Sequence, residues 1–133
     1  MRSSITEIKV QGFHTDHYQH VNNARYLEFL ETARWSYYAD IFESELCKQH
    51  GWAFIIVNIN ISYKKAAKLG DLLEVHTQPQ RMTNATVTLQ QQVRLQSTQQ
   101  IIANAAVTFV VLSTHTNKPL PIKGELKKLL EMP

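Results

Sequence analysis

The apolar residues of this chain change their spacing sharply at Trp52. Before it, Tyr26, Leu27, Leu30, Ala33, Tyr37 and Ile41 lie along one stripe in steps of three and four. Glu28, Glu31 and Arg34 flank that stripe, so residues 24–41 are expected to form one amphipathic helix. After Trp52 the period is two. Val57, Ile59, Ile61 and Tyr63 face one way and Asn58, Asn60 and Ser62 the other, which predicts a strand over residues 53–63. Residues 72–82, 85–95 and 100–113 continue the pattern, joined by polar turns short enough for hairpins. The run at Gln90–Gln92 reads as a solvated strand face.

Residues 5–14 read as one more strand ahead of the helix. Residues 42–50 are expected to be helical or irregular up to Gly51, and Gly124–Glu131 as a short helix after Pro119 and Pro121. One long helix segregated from runs of consecutive strands argues for an α+β fold, a five-stranded antiparallel sheet wrapped around a central helix. Strands of this length leave sheet edges that need covering, and edge-to-edge pairing of two copies would cover them.

With 133 residues, the whole of 1–133 is expected to be one domain. The net charge of +3 suits an anionic ligand, but no Lys/Arg block marks a nucleic-acid partner, so phosphate-bearing small molecules fit equally well. Cys47 is the one cysteine, which excludes an intrachain disulfide and a cysteine-rich zinc site and suits a reduced, cytoplasmic setting. MRSSITEIKV has no apolar core, so no signal peptide is expected. The longest apolar run, residues 53–57, is far short of the roughly 20 residues of a membrane span.

The chemistry is concentrated just before the helix, in His14-Thr-Asp-His-Tyr-Gln-His-Val-Asn-Asn-Ala-Arg-Tyr26. Asn22 or Asn23 suits the N-cap, since a side-chain oxygen there accepts from an orphan backbone N–H. A helix start carries unpaired N–H groups and about half a positive charge, and so can polarise a carbonyl whose oxygen becomes negative. Asp16 lies seven residues before Asn23, close enough for a loop to return its carboxylate to that point. Together they would make half of an acyl-transfer site. Plainer readings stand beside this one: an aspartate here often caps or turns the chain, and His14, His17 and His20 are ordinary loop histidines. Their spacing, with Asp16, has metal-ligand types, yet such a loop need not converge, and no metal is assigned. Cys47 and Ser36 have no evident base beside them, and the four glycines are too dispersed for a phosphate loop.

Asp16-His-Tyr-Gln-His20-Val-Asn-Asn23-Ala-Arg-Tyr26-Leu-Glu-Phe-Leu-Glu31, followed by Tyr63-Lys-Lys-Ala and Gly70-Asp71, resembles the hotdog-fold acyl-CoA thioesterases of the 4-hydroxybenzoyl-CoA thioesterase type, and within them the bacterial long-chain branch. The resemblance runs through nearly the whole chain. It implies hydrolysis of medium- to long-chain acyl-CoA to free CoA and a carboxylic acid, with no metal or redox cofactor. It implies Asp16 as general base or nucleophile and the backbone N–H of Asn23 as oxyanion donor. His20 and Asn22 would shape the loop, and Tyr26 would pack beneath it. The family's sites lie at a subunit interface, so a homodimer or homotetramer is expected, with Asn58 and Asn60 as further lining. Lys64, Lys65 and Arg81 are candidates for the CoA phosphates, and Phe29, Leu30, Ala33 and Tyr37 for the helix side of an acyl tunnel. The chain departs from other branches at His17-Tyr18-Gln19, where they carry glycine. An acyl-carrier-protein thioesterase and a non-catalytic acyl-thioester or lipid-binding module are the alternative functions.

Overall fold

In the computed structural model, which describes residues 2–131, the elements follow the order implied by the change of period. They are β1 (Ser4–Lys9), α1 (Asn23–Glu43), α2 (Glu45–His50), β2 (Trp52–Tyr63), β3 (Leu72–Met82), β4 (Val87–Leu95), β5 (Ile101–Ser113), β6 (Pro119–Leu120) and α3 (Gly124–Glu131). The sheet is antiparallel throughout, in the order β1-β3-β4-β5-β2. β6 adds a two-residue pairing at the end of β5, opposite β2. The five expected strands are therefore present, and β6 is a sixth too short to show any periodicity.

α1 lies across one face of this sheet, and two apolar clusters fill the space between. Tyr26, Phe29, Leu30 and Ala33 pack with Leu73, Val75, Val93 and Val107. Tyr37 and Tyr38 pack with Val87, Leu89, Phe109 and α3's Leu126 and Leu130. Each fully buried large side chain contributes on the order of 1.5–3 kcal/mol. Leu27, expected on the buried stripe, is 38% exposed, and Phe29 takes its place inside.

A polar band separates the clusters. Gln91 is 0% exposed, so the Gln90–Gln92 run is not a solvated face throughout. Its amide donates to the Leu30 carbonyl at 3.1 Å and to Thr77 Oγ1 at 3.0 Å, while its carbonyl accepts from Arg34 Nη1 at 3.1 Å. Arg34, expected at the edge of the stripe, is only 5% exposed. Burying such groups is tolerable because they are hydrogen-bonded to one another.

Two boundaries and one strand register depart from simple alternation for identifiable reasons. β1 stops at Lys9, and His14 belongs to a single 3-10 turn, Gly12–His14, closed by its own Nδ1 accepting from the Gln11 N–H at 2.9 Å. β4 begins at Val87 because Thr83 Oγ1 accepts from the N–H groups of Ala85 and Thr86 and holds those residues in a turn. β2 carries a register shift between Ile56 and Asn58. That bulge turns Val57 outward, 55% exposed, while Phe54, Ile56, Ile59 and Ile61 remain inward.

Candidate active site

Residues 14–22 fold back because their own backbone closes the turn. The Gln19 N–H donates to the Asp16 carbonyl at 2.9 Å, with Gln19 itself at φ 64°. The Asp16 N–H donates to the His20 carbonyl at 2.9 Å, Thr15 pairs with Val21, and the Asn22 N–H donates to the His14 carbonyl at 2.9 Å. Asp16 is exposed, and its Oδ1 accepts from the Tyr18 N–H at 2.9 Å, which fixes where the carboxylate stands. His20 thus supports Asp16 through its backbone. The turn is tied in its own right to the β2–β3 connection, where the Val21 N–H donates to the Ala67 carbonyl at 2.9 Å and His20 bridges to Lys68.

The start of α1 distributes its donors unevenly. Asn22 is the N-cap: its side chain accepts from the Ala24 N–H at 3.0 Å and its carbonyl from Arg25 at 2.8 Å. The Asn23 N–H meets no acceptor among the described residues. The Tyr63 hydroxyl, from the end of β2, donates to the Asn23 carbonyl at 3.1 Å and holds that first peptide in place. Beneath them Tyr26 is 2% exposed; its hydroxyl accepts from the Ala67 N–H at 3.2 Å, and burial raises its pKa above the usual tyrosine value.

These groups open onto one recess of about 280 Å³. Asp16, His20 and Asn23 line it from the junction, Tyr63, Lys64 and Lys65 from the end of β2, and Tyr26 from below. A carboxylate and an unpaired helix-terminal N–H facing one cavity supply a base or nucleophile and a donor for an oxyanion. Lys64 and Lys65 are exposed, and Lys65 Nζ donates to Gln100 Oε1 at 3.0 Å.

Other expected residues are not brought there. The Asn22 side chain is spent on the cap. Asn58 and Asn60, expected to line the site across a subunit interface, are exposed on the outward face of β2, opposite Thr108 and Ala106 of β5. Arg81 stands nine residues along β3 from Leu72, about 30 Å away at strand spacing. Phe29, Leu30, Ala33 and Tyr37, expected on the helix side of an acyl tunnel, are at most 3% exposed and pack in the core. Tyr63 is the contributor the sequence pattern missed; grouped by alternation with Ile59 and Ile61, it is 42% exposed at the strand end.

The histidines serve separate ends. His14 packs against Phe29 with ring centroids 4.9 Å apart. Its pKa lies below the ordinary value, chiefly through burial and then the Arg25 charge, with Glu28 opposing. Among the described residues, no three His, Cys, Asp or Glu side chains converge as a metal would need.

Residues 11–130 match the family model for the thioesterase-like superfamily. The chain is 45% identical over 126 residues to the long-chain acyl-CoA thioesterase FadM of Escherichia coli, covering 95% of this chain and 96% of that protein. It is 32% identical over 109 residues to the acyl-CoA thioesterase YbgC of Haemophilus influenzae, covering 80% of this chain and 79% of that one. The crystal structure of the probable thioesterase YbaW from Escherichia coli superposes with a TM-score of 0.86 at 45% identity, covering 96% of each chain. A 1,4-dihydroxy-2-naphthoyl-CoA thioesterase from Synechocystis shares the fold at 18% identity and a TM-score of 0.82.

Proposed function

The chain belongs to the thioesterase-like superfamily, and on that premise we propose that it hydrolyses long-chain acyl-CoA thioesters to free CoA and a carboxylic acid. The observation that carries this reading is the single recess shared by the Asp16 carboxylate and the unpaired Asn23 N–H. The relatives at 45% and 32% identity, both named acyl-CoA thioesterases, support the same substrate class.

In this reading the thioester carbonyl lies with its oxygen against the Asn23 N–H. Asp16 either takes a proton from an attacking water or attacks the carbonyl carbon itself, giving an anhydride that water then opens. As the tetrahedral centre forms, negative charge grows on the oxygen where the helix terminus is most positive, and the CoA thiolate departs. A donor placed this way is worth about 3–4 kcal/mol of barrier. Thiolate is a good leaving group, so this apparatus is sufficient without a cofactor. Lys64 and Lys65, on the recess wall, meet the CoA phosphates in this reading.

The working unit in this reading is one hotdog domain over residues 1–133, paired with a second copy along β2, the sheet's terminal strand. The same reading puts the enzyme in the cytoplasm; among the described residues no helix is long and apolar enough to cross a membrane. The test is thiol release from a panel running from acetyl-CoA to palmitoyl-CoA with benzoyl-CoA, repeated on acyl-carrier-protein thioesters. Turnover rising toward long chains on CoA is expected. Binding without turnover on every member would make the protein an acyl-thioester binding module instead.

A further inference from the structure

The Asp16 recess opens at one end of the sheet, where β1 and β2 finish and β3 and α1 begin. Two stretches of chain form the rim there. The Val10 N–H donates to the Asp71 carbonyl at 2.9 Å and the Gly70 N–H to the Val10 carbonyl at 3.1 Å, so the chain leaving β1 lies against the 64–71 connection. The Val21–Ala67 hydrogen bond and the His20–Lys68 bridge tie the same connection to the end of the 14–22 turn. Phe13, Tyr18 and Leu69 therefore belong to one rim.

That rim holds apolar side chains out of the core. Phe13 is 68% exposed and Tyr18 76%, the most exposed large apolar side chains among the described residues, and Leu69 is 59% exposed. A single such residue on a surface means little, but three on one rim make a patch. The two rings touch polar neighbours only: Phe13 meets the His14 ring and the Arg25 guanidinium, and Tyr18 the His17 ring.

Cations stand among them. Lys9, Lys64, Lys65 and Lys68 are all exposed, and none has a carboxylate within ion-pair distance among the described residues. Lys65 reaches the neutral Gln100. The carboxylates of the two stretches are Asp16, which faces the recess, and Asp71, which accepts from the Lys68 N–H at 2.9 Å and closes the turn. Arg25 is already paired with Glu28.

A surface that is cationic and apolar at once complements a bilayer of anionic lipid: lysines meet the phosphates, and apolar side chains enter between the headgroups. The rim also stays open in a pairing along β2, since β1, from which Phe13 follows, stands at the opposite end of the strand order. We propose that this rim docks on anionic bilayers and that the enzyme draws its long-chain substrate from the membrane through it. A long-chain acyl-CoA is itself an amphiphile, with its chain in the bilayer and its phosphates in water, and the recess mouth meets it at that boundary. The docking surface stands on the rim alone; the substrate route rests on the thioesterase reading above.

The first experiment uses vesicles that carry no thioester, phosphatidylcholine with and without phosphatidylglycerol, and measures co-sedimentation. Partition onto the anionic vesicles is expected, at least about tenfold stronger than onto the neutral ones and weakened by salt. Phe13→Ser with Leu69→Ser is expected to cut it by about tenfold or more, the worth of burying one large apolar side chain. Lys9→Gln with Lys68→Gln is expected to cut it by a similar factor, at the worth of a lysine near an anionic surface. No partition onto anionic vesicles overturns the proposal. So does partition that the serine variant leaves unchanged, which is adsorption by charge alone, or retention of an acyl carrier protein in place of vesicles.

The second experiment follows hydrolysis of palmitoyl-CoA carried in anionic vesicles and of octanoyl-CoA in solution. The serine variant is expected to lose about tenfold on the first and to match wild type on the second. Equal rates for the two proteins on both substrates overturn the membrane route. Vesicle docking without turnover of either substrate supports the docking surface and removes the thioesterase reading instead.

Discussion

Asp16 carries two loads on one side chain. Oδ1 accepts from the Tyr18 amide and holds the turn, while the same carboxylate faces the recess at the helix start. The division matters for mutagenesis, because an asparagine keeps a side-chain oxygen for Tyr18 and loses only the charge. His14, two residues earlier, is a structural residue with a pH signature. Its folded pKa is lowered, so as pH falls below 6.5 the unfolded chain takes up a proton first. The stability involved is complete above 6.5 and is lost as pH falls toward the folded value. Denaturation midpoints measured at about pH 7.5 and 5.5 are expected to fall further in wild type than in His14→Gln; an equal fall in both would remove His14 as a cause.

At the scale of elements, the site is where three of them meet: the 14–22 turn, the first peptide of α1 and the end of β2. Tyr63 is the link between the last two. Tyr63→Phe keeps the ring packed on Tyr26, whose centroid is 5.5 Å away, and deletes only the hydroxyl. One neutral hydrogen bond is worth about 0.5–1.5 kcal/mol, so kcat is expected to fall up to about tenfold with KM little changed. A rise in KM at constant kcat would instead make Tyr63 a plain binding residue. The spacing of Asp16 and Asn23 made their meeting legible in advance, and simple alternation placed β3 to the residue. Tyr63 was not legible as their neighbour, because its position depends on how β2 registers against β5 and where it ends. Val57 escaped for a related cause: a bulge inserts one residue and reverses every face after it, which a periodic count cannot see. Gln91 and Arg34 escaped because each looks solvated alone and is buried only as a hydrogen-bonded pair.

For the whole molecule, the question is what covers β2. It ends the main strand order, and Ile55 and Val57 on it are 42% and 55% exposed. An open edge with such residues is a pairing surface unless charge or a covering element blunts it. In the proposed dimer, Ile55→Lys is expected to weaken self-association by about tenfold or more, the cost of setting like charges near one another across a two-fold axis. Sedimentation of wild type and variant over a range of concentrations checks this. A wild type that stays monomeric at micromolar concentration would contradict the pairing.

The central claim is that Asp16 acts on a thioester held at the start of α1. The most direct measurement is thiol release from palmitoyl-CoA by wild type and Asp16→Asn, with folding of the variant confirmed by its unchanged denaturation midpoint. The account predicts that kcat drops by about a hundredfold to ten-thousandfold, the range a positioned acid or base supplies. Turnover by the folded variant equal to that of wild type would contradict it.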